Sequence, residues 1–331
     1  MSKKEYILVT GSAGFIGFSL VRELLRQGHS VVGVDNFNDY YLPLLKEKRN
    51  NILEEYPHFI CRRISLENYE QMEKVFREFN FSVVCNLAAQ AGVRRSMEEP
   101  FVYEKSNIAG FLNILELVRN YHIPRLVYAS SASVYGGNRK IPFSETDNVD
   151  NPISLYAATK KSNELMAHSY THLFNLQSIC LRLFSAYGPW GRPDMALWVF
   201  TEAISSGKPI DVYNYGNMRR DFTYIDDIVS GIIAAVFSKN LDKYEIFNLG
   251  NHRSEQLLDM INIIEEELGI KAIKNMMSIQ PGDIPESFAD TDKAKTKLNY
   301  TPSTTIAKGI PEFISWYKSR PDIAAAVAKS R

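Results

Sequence analysis

Cysteine is scarce here, three residues in 331, and Cys61, Cys85 and Cys180 are odd in number, far apart and set in apolar stretches. That excludes a disulfide framework and reads as reduced core thiols, which fits a cytoplasmic setting. No apolar run approaches the length that spans a bilayer, so no membrane partner is expected. The start, MSKKEYILVTG, passes from basic residues directly into a short strand, without the apolar core or cleavage site of a signal peptide. Charge of one sign is not in excess: lysine plus arginine and aspartate plus glutamate number 38 each. Without a dense basic tract, nucleic acid is not an expected partner. Low-complexity segments, internal repeats and long linkers are missing as well.

What is present suits a globular protein with one large or two medium cores, since 45% of the residues are hydrophobic. Apolar β-rich runs (YILVTG, VVGVD, FICRRI, SVVCNLAA, RLVYASS, QSICLRLF) alternate with helical periodicity, including stretches at 44–56, 69–79 and 101–121. That alternation predicts βαβ units, and hence an α/β fold with a doubly wound parallel sheet of at least six strands. After Gly188 the texture changes to loop-like PWGRPDM and NYGNMRRDF and shorter elements. We therefore expect a cofactor-binding lobe over 1–188 and a smaller C-terminal substrate-binding lobe over 189–331, with some chain crossing back and the active site between them.

Gly11, Gly14 and Gly17 in TGSAGFIG follow a strand and open a helix. The missing side chains permit a tight turn and close approach of a pyrophosphate to the helix N-terminus. Asp35 ends the second strand, about 20 residues beyond the glycines, where a carboxylate accepts hydrogen bonds from an adenine ribose. It repels a 2′-phosphate, so NAD is expected in preference to NADP. Asn36 and Asn38 in the following DNFND carry the same reading, beside that of plain turn residues.

Tyr156 and Lys160 stand four positions apart in SLYAATK, a pairing that also arises by chance on helices. Its meaning comes from Ser131 in YASSASVYG, at the end of a strand, which brings a serine, a tyrosine and a lysine to one sheet edge. Lowering a tyrosine from a pKa of about 10 to near neutrality takes roughly 4 kcal/mol. Lys160 and a positively charged nicotinamide ring are the expected source, leaving tyrosinate to accept a hydroxyl proton while Ser131 holds that hydroxyl.

Through TGSAGFIG, NLAAQAGVRRS, YASSASVYGG and YAATK together, the chain resembles the extended short-chain dehydrogenase/reductase family, with its Rossmann-type sheet. NPISLYAATKKSNELMAHSY, YGPWGRPDMAL, GKPIDVYNYGNMRRDFTYIDDIV and QPGDIPESFADT make it most similar to bacterial and plant UDP-glucuronate 4-epimerases. The resemblance implies Tyr156 as catalytic base and acid, Lys160 as pKa modulator and ribose ligand, and Ser131 as the hydroxyl-orienting group. It implies a cofactor lining of Phe15, Ile16, Asp35, Asn36, Leu66, Ala88, Ala89, Gln90, Asn107 and Phe184. Arg220 matches a diphosphate-binding arginine and Asp283 a nucleotide-side contact, while Arg192, Ser133 and Ser185 match positions beside the sugar carboxylate. A homodimer is implied too, through the 101–121 helix and the helix bearing Tyr156. The chain departs from the family pattern at Ser65, Asn86, Ala132 and Ser185.

Related 4,6-dehydratases carry an Asp-Glu pair after the catalytic serine and decarboxylases a glutamate, whereas this chain has Ala132 and Ser133. The resemblance thus implies NAD-dependent 4-epimerisation of a UDP-sugar, UDP-glucuronate to UDP-galacturonate, through a transient 4-keto sugar. Ser287, where some galactose-type epimerases have a tyrosine, leaves room for a carboxylate. A 4-epimerase of a neutral or N-acetylated UDP-hexose and a non-catalytic NAD-binding scaffold are the alternatives.

Overall fold

The computed structural model describes residues 4–280 and 284–330. Seven strands form its main sheet: β1 (Glu5–Thr10), β2 (Val31–Asp35), β3 (Phe59–Arg63), β4 (Asn80–Asn86), β5 (Arg125–Ser131), β6 (Gln177–Leu183) and β7 (Tyr244–Leu249). Their order is β7-β6-β5-β4-β1-β2-β3, and every neighbouring pair is parallel. The order reverses between β1 and β4, so the connections leaving their C-terminal ends diverge and open a crevice there.

Both faces of the sheet are covered, which is why YILVT lacks a polar alternate. Ile7 and Val9 join a core with Phe18 and Leu24 of helix α1 (Phe15–Arg26), and Leu8 joins the opposite core. That second core takes Met72 and Phe76 from α3 (Tyr69–Glu78) and Ile114 and Leu117 from α4 (Gly110–Asn120). Two further helices matter for the site, α2 (Pro43–Glu54) and α5 (Leu155–Phe174).

The stretch expected as one α-helix over 101–121 is more complex. One α-turn at Pro100–Tyr103 leads into a π-helical segment, Glu104–Ala109, and only then into α4. Asn107 accounts for the wide turn. Its side chain accepts from the Gln90 amide at 2.8 Å and donates to the Gln90 carbonyl at 3.0 Å. Its own carbonyl accepts from Asn163 Nδ2 at 2.7 Å, a partner outside the helix ladder.

Outside the main sheet the strands are short. Ser185–Tyr187 pairs with Phe222–Tyr224, Ile210–Val212 with Lys274–Met276, and Arg219–Arg220 lies between Glu255–Gln256 and Glu286–Ser287. The chain then crosses back, since β7 completes the large sheet beside β6.

Candidate active site

A cavity of about 460 Å³ lies across the C-terminal ends of β1 and β4, within the usual range for small-molecule sites. At one end is the glycine turn. Gly11 has φ +71°, and a Cβ there would lie 2.9 Å from the main chain of Ala88, so only glycine lets the turn close onto the end of β4. A Cβ on Gly17 would stand 2.0 Å from the Gly11 carbonyl oxygen. Gly14 caps α1 with no side-chain hydrogen bond, which leaves the first amides of the helix for an anion. Gly11, Gly14, Phe15, Ile16 and Gly17 all line the cavity.

Asp35 lines it too, and its carboxylate is held in place by the amides of Ala13 at 3.0 Å and Phe37 at 2.8 Å. Asn36 Nδ2 donates to Ser65 Oγ at 3.2 Å, and Asn38 Nδ2 to Gln90 Oε1 at 3.2 Å. Leu66, Ala88, Ala89, Gln90 and Phe184 complete this end. A helix start without a side-chain cap and a fixed carboxylate at the end of β2 are the donor and acceptor set that a dinucleotide requires. Asn107 does not line the cavity. It is buried one layer behind, where it fixes the Gln90 main chain. Asn86 is likewise internal, accepting from Thr10 Oγ1 at 2.7 Å.

In the middle stand Ser131, Tyr156 and Lys160. Ser154 caps α5 by accepting from the Ala157 amide at 3.1 Å, which puts Tyr156 in the first turn and Lys160 one turn later on the same face. Burial raises the Tyr156 phenol above the ordinary tyrosine value, while a hydrogen bond with Ser131 and the Arg192 guanidinium act downward. Lys160 donates to the Ala129 carbonyl at 2.8 Å, and burial pulls its amine down to about 8 against the influence of Cys180 and Glu164. Within the chain desolvation dominates at Tyr156, and Ser131 and Arg192 act against it.

At the far end Ser133, Ser185, Arg192 and Ser287 share the same cavity. Arg192 donates to Asp194 from Nε at 3.0 Å and Nη2 at 2.5 Å, and to the Tyr40 hydroxyl at 3.2 Å. Burial works against its charge, but Asp194 outweighs it and raises the pKa above the ordinary arginine value. Trp190 packs between Phe18 and Trp316, at 5.5 and 5.3 Å between ring centroids. Arg220 is outside the lining; it pairs in register with Ser287 and donates to the carbonyls of Arg219 and Pro285 at 2.9 and 3.2 Å. Asp283 lies outside the described residues.

Sequence reasoning missed Tyr40, Tyr41, Lys46 and Asp194, which also line the cavity. Lys46 is buried, donates to the carbonyl and side chain of Asn38 at 2.8 and 2.5 Å, and is pulled down to about 8 by desolvation against the influence of Asp35. The readable signal was on α2, where Lys46 and Arg49 occupy the same inward face as Leu45 and Leu53. Two cations at core positions of one helix need oxygen partners to offset desolvation.

Residues 7–250 match the model of the NAD dependent epimerase/dehydratase family. Protein CapI of Staphylococcus aureus is 50% identical over 327 residues, covering 94% of this chain and 98% of its own length. UDP-glucuronate 4-epimerase 4 of Arabidopsis thaliana is 45% identical over 329 residues, 95% of this chain and 75% of the plant protein. Among solved structures, UDP-glucuronic acid 4-epimerase from Bacillus cereus in complex with UDP-glucuronic acid and NAD superposes with a TM-score of 0.89 at 34% identity, covering 95% of this chain and 99% of that one. A match over most of the chain, with the glycine turn, Ser131, Tyr156 and Lys160 gathered at one cavity, means that this protein belongs to the NAD-dependent epimerase/dehydratase family.

Proposed function

We propose that this chain is an NAD-dependent 4-epimerase that interconverts UDP-glucuronate and UDP-galacturonate through a transient 4-keto sugar. The observation that carries the reading is that Arg192, Ser133 and Ser185 line the same cavity as Ser131 and Tyr156, so a carboxylate and a sugar hydroxyl are addressed together. Ser131 orients the C4 hydroxyl, and Tyr156 takes its proton and returns it to the same oxygen once C4 has inverted. Lys160 holds the cofactor ribose and, as a cation, favours tyrosinate. When bound, NAD accepts the C4 hydride and gives it back. The glycine turn and α1 start hold its diphosphate, Asp35 its adenine ribose, and Asn36, Asn38, Leu66, Ala88, Ala89, Gln90 and Phe184 line its path, with Asn107 supporting Gln90 from behind. Arg220 and Asp283 belong to the UDP side.

With Ala132 after Ser131, no carboxylate is offered there for elimination, which supports return of hydride over loss of water. In this reading 1–188 chiefly hold the cofactor and 189–331 the UDP-sugar, in a reducing cytoplasm. Homodimerisation through the 101–121 segment and α5 is part of the same proposal; the exposed Phe101, Leu112, Leu165 and Leu173 support it.

The test is incubation with UDP-glucuronate and NAD, followed by identification of the nucleotide sugar; UDP-galacturonate is expected. One observation favours a second reading. Asp194 already neutralises Arg192 within the chain, as suits a neutral UDP-hexose. Faster turnover of UDP-glucose than of UDP-glucuronate would establish that alternative.

A further inference from the structure

Arg49, on α2, is fully buried, and its hydrogen-bond partners among the described residues are oxygens without formal charge. Nη1 donates to the Ala13 carbonyl at 3.0 Å and the Tyr41 hydroxyl at 2.6 Å, and Nη2 to the carbonyls of Trp190 at 2.5 Å and Gly191 at 3.3 Å. Ala13 belongs to the glycine turn, and its amide donates to Asp35. Trp190 and Gly191 immediately precede Arg192, in a loop where Trp190 adopts φ +63°, a left-handed conformation costly for a bulky residue. One planar guanidinium thus joins the turn beside Asp35 to the strained loop that presents Arg192.

We infer that Arg49 is a positioning residue for the carboxylate-reading end of the site. By clamping the Trp190 and Gly191 carbonyls to the cofactor turn, it fixes where the Arg192 guanidinium stands, and so sets the preference for a uronate over a neutral sugar. This rests on the uronate reading proposed above. Lysine is a poor substitute, because an ammonium is a point donor that cannot reproduce the forked geometry.

The test compares wild type, Arg49→Met and Arg49→Lys at saturating NAD, by calorimetric titration with UDP, UDP-glucuronate and UDP-glucose. Wild type should bind UDP-glucuronate more tightly than UDP-glucose. In Arg49→Met that preference should shrink about tenfold, the scale of losing charge-assisted hydrogen bonds, with UDP affinity unchanged and Arg49→Lys intermediate. Hydrogen exchange over residues 188–195 should accelerate in both variants. If Arg49→Met does not fold, Arg49→Lys carries the test. An unchanged preference, or a loss of UDP affinity by the same factor, overturns the inference. If wild type itself shows no preference, the uronate reading falls, and exchange over 188–195 alone then decides whether Arg49 holds that loop.

Discussion

Lys160 donates its ammonium to the main-chain carbonyl of Ala129 at 2.8 Å, two residues before Ser131 on β5. One turn further along α5, Glu164 accepts from Ser130 Oγ at 2.7 Å and from Arg182 at 2.9 Å through both carboxylate oxygens. Consecutive residues of β5 are therefore fastened to α5 by two charged side chains. This fixes Ser131 relative to Tyr156 independently of any ligand, the preorganisation that a proton transfer needs.

That fastening has a cost in stability that is readable by pH. Burial lowers Lys160 from 10.5 to about 8. Between those values the unfolded chain binds more protons than the folded one, so stability rises with pH across the window, and the penalty is fully present below pH 8. Each unit is worth about 1.4 kcal/mol, against about 1.5–3 kcal/mol for the charge-assisted hydrogen bond to Ala129. Lys160→Met should therefore raise the Tm of the cofactor-free protein at pH 7, by a margin that narrows between pH 8 and 10.5, while abolishing turnover. A Tm lowered at every pH would assign Lys160 a purely structural value.

Tyr156→Phe keeps the ring and its edge contact with Tyr103 at 6.3 Å, so folding and NAD binding should survive. The proton relay should not, and turnover should fall by about 10²–10⁴, the usual contribution of a positioned acid or base. Near-normal steady-state rates would remove Tyr156 from the chemistry.

The parts legible in the sequence are those set by short-range pattern. TGSAGFIG announces its turn because Gly11 and Gly17 have no room for a Cβ, and the parallel strands follow from apolar runs covered on both faces. The 101–121 stretch was legible as helical but not as π-helical, because Asn107 takes its partners from Gln90 and Asn163. Arg49 reaches Trp190 across 141 positions, and the pairing of Arg192 with Tyr40 spans 152. No local periodicity encodes either contact. The same limit applies to Tyr156, whose environment depends on Arg192 from another part of the chain.

Asp35 does two things, because one of its oxygens accepts from Ala13 in the glycine turn while the carboxylate also faces the cavity. Asp35→Ala should weaken NAD binding and relax discrimination against NADP, as the charge that repels a 2′-phosphate is gone. Fluorescence titration with both reduced cofactors measures this; an unchanged NAD-to-NADP ratio would place selectivity elsewhere, with Lys46 the next residue to examine.

Phe101 is 77% exposed and Leu173 67%, and Leu112 and Leu165 are exposed as well. The double substitution Phe101→Glu with Leu173→Glu should convert a dimer to a monomer in light scattering at micromolar concentration, with secondary structure retained by circular dichroism. A wild type that is already monomeric would refute the interface proposed through the 101–121 segment and α5.

A 4-keto uronate is a β-keto acid, and it loses carbon dioxide when the carboxylate stands perpendicular to the ketone plane, so an epimerase has to hold that group out of alignment while the ring turns. Arg192 is suited to this. Its Nε and Nη2 are occupied by Asp194 and Tyr40, which orients the guanidinium, and Ser133 and Ser185 supply hydroxyls in the same cavity. Arg192→Ala removes the restraint together with a charge-assisted contact worth about 1.5–3 kcal/mol, and leaves Asp194 as an unpaired anion facing the substrate. Epimerisation should slow at least tenfold on that scale, and the fraction of product appearing as UDP-4-keto-pentose should rise, measured by carbon dioxide release and mass spectrometry of the nucleotide pool. A variant that bound and epimerised UDP-glucuronate like wild type, without extra carbon dioxide, would take the carboxylate away from Arg192 and leave the neutral-sugar reading as the stronger of the two.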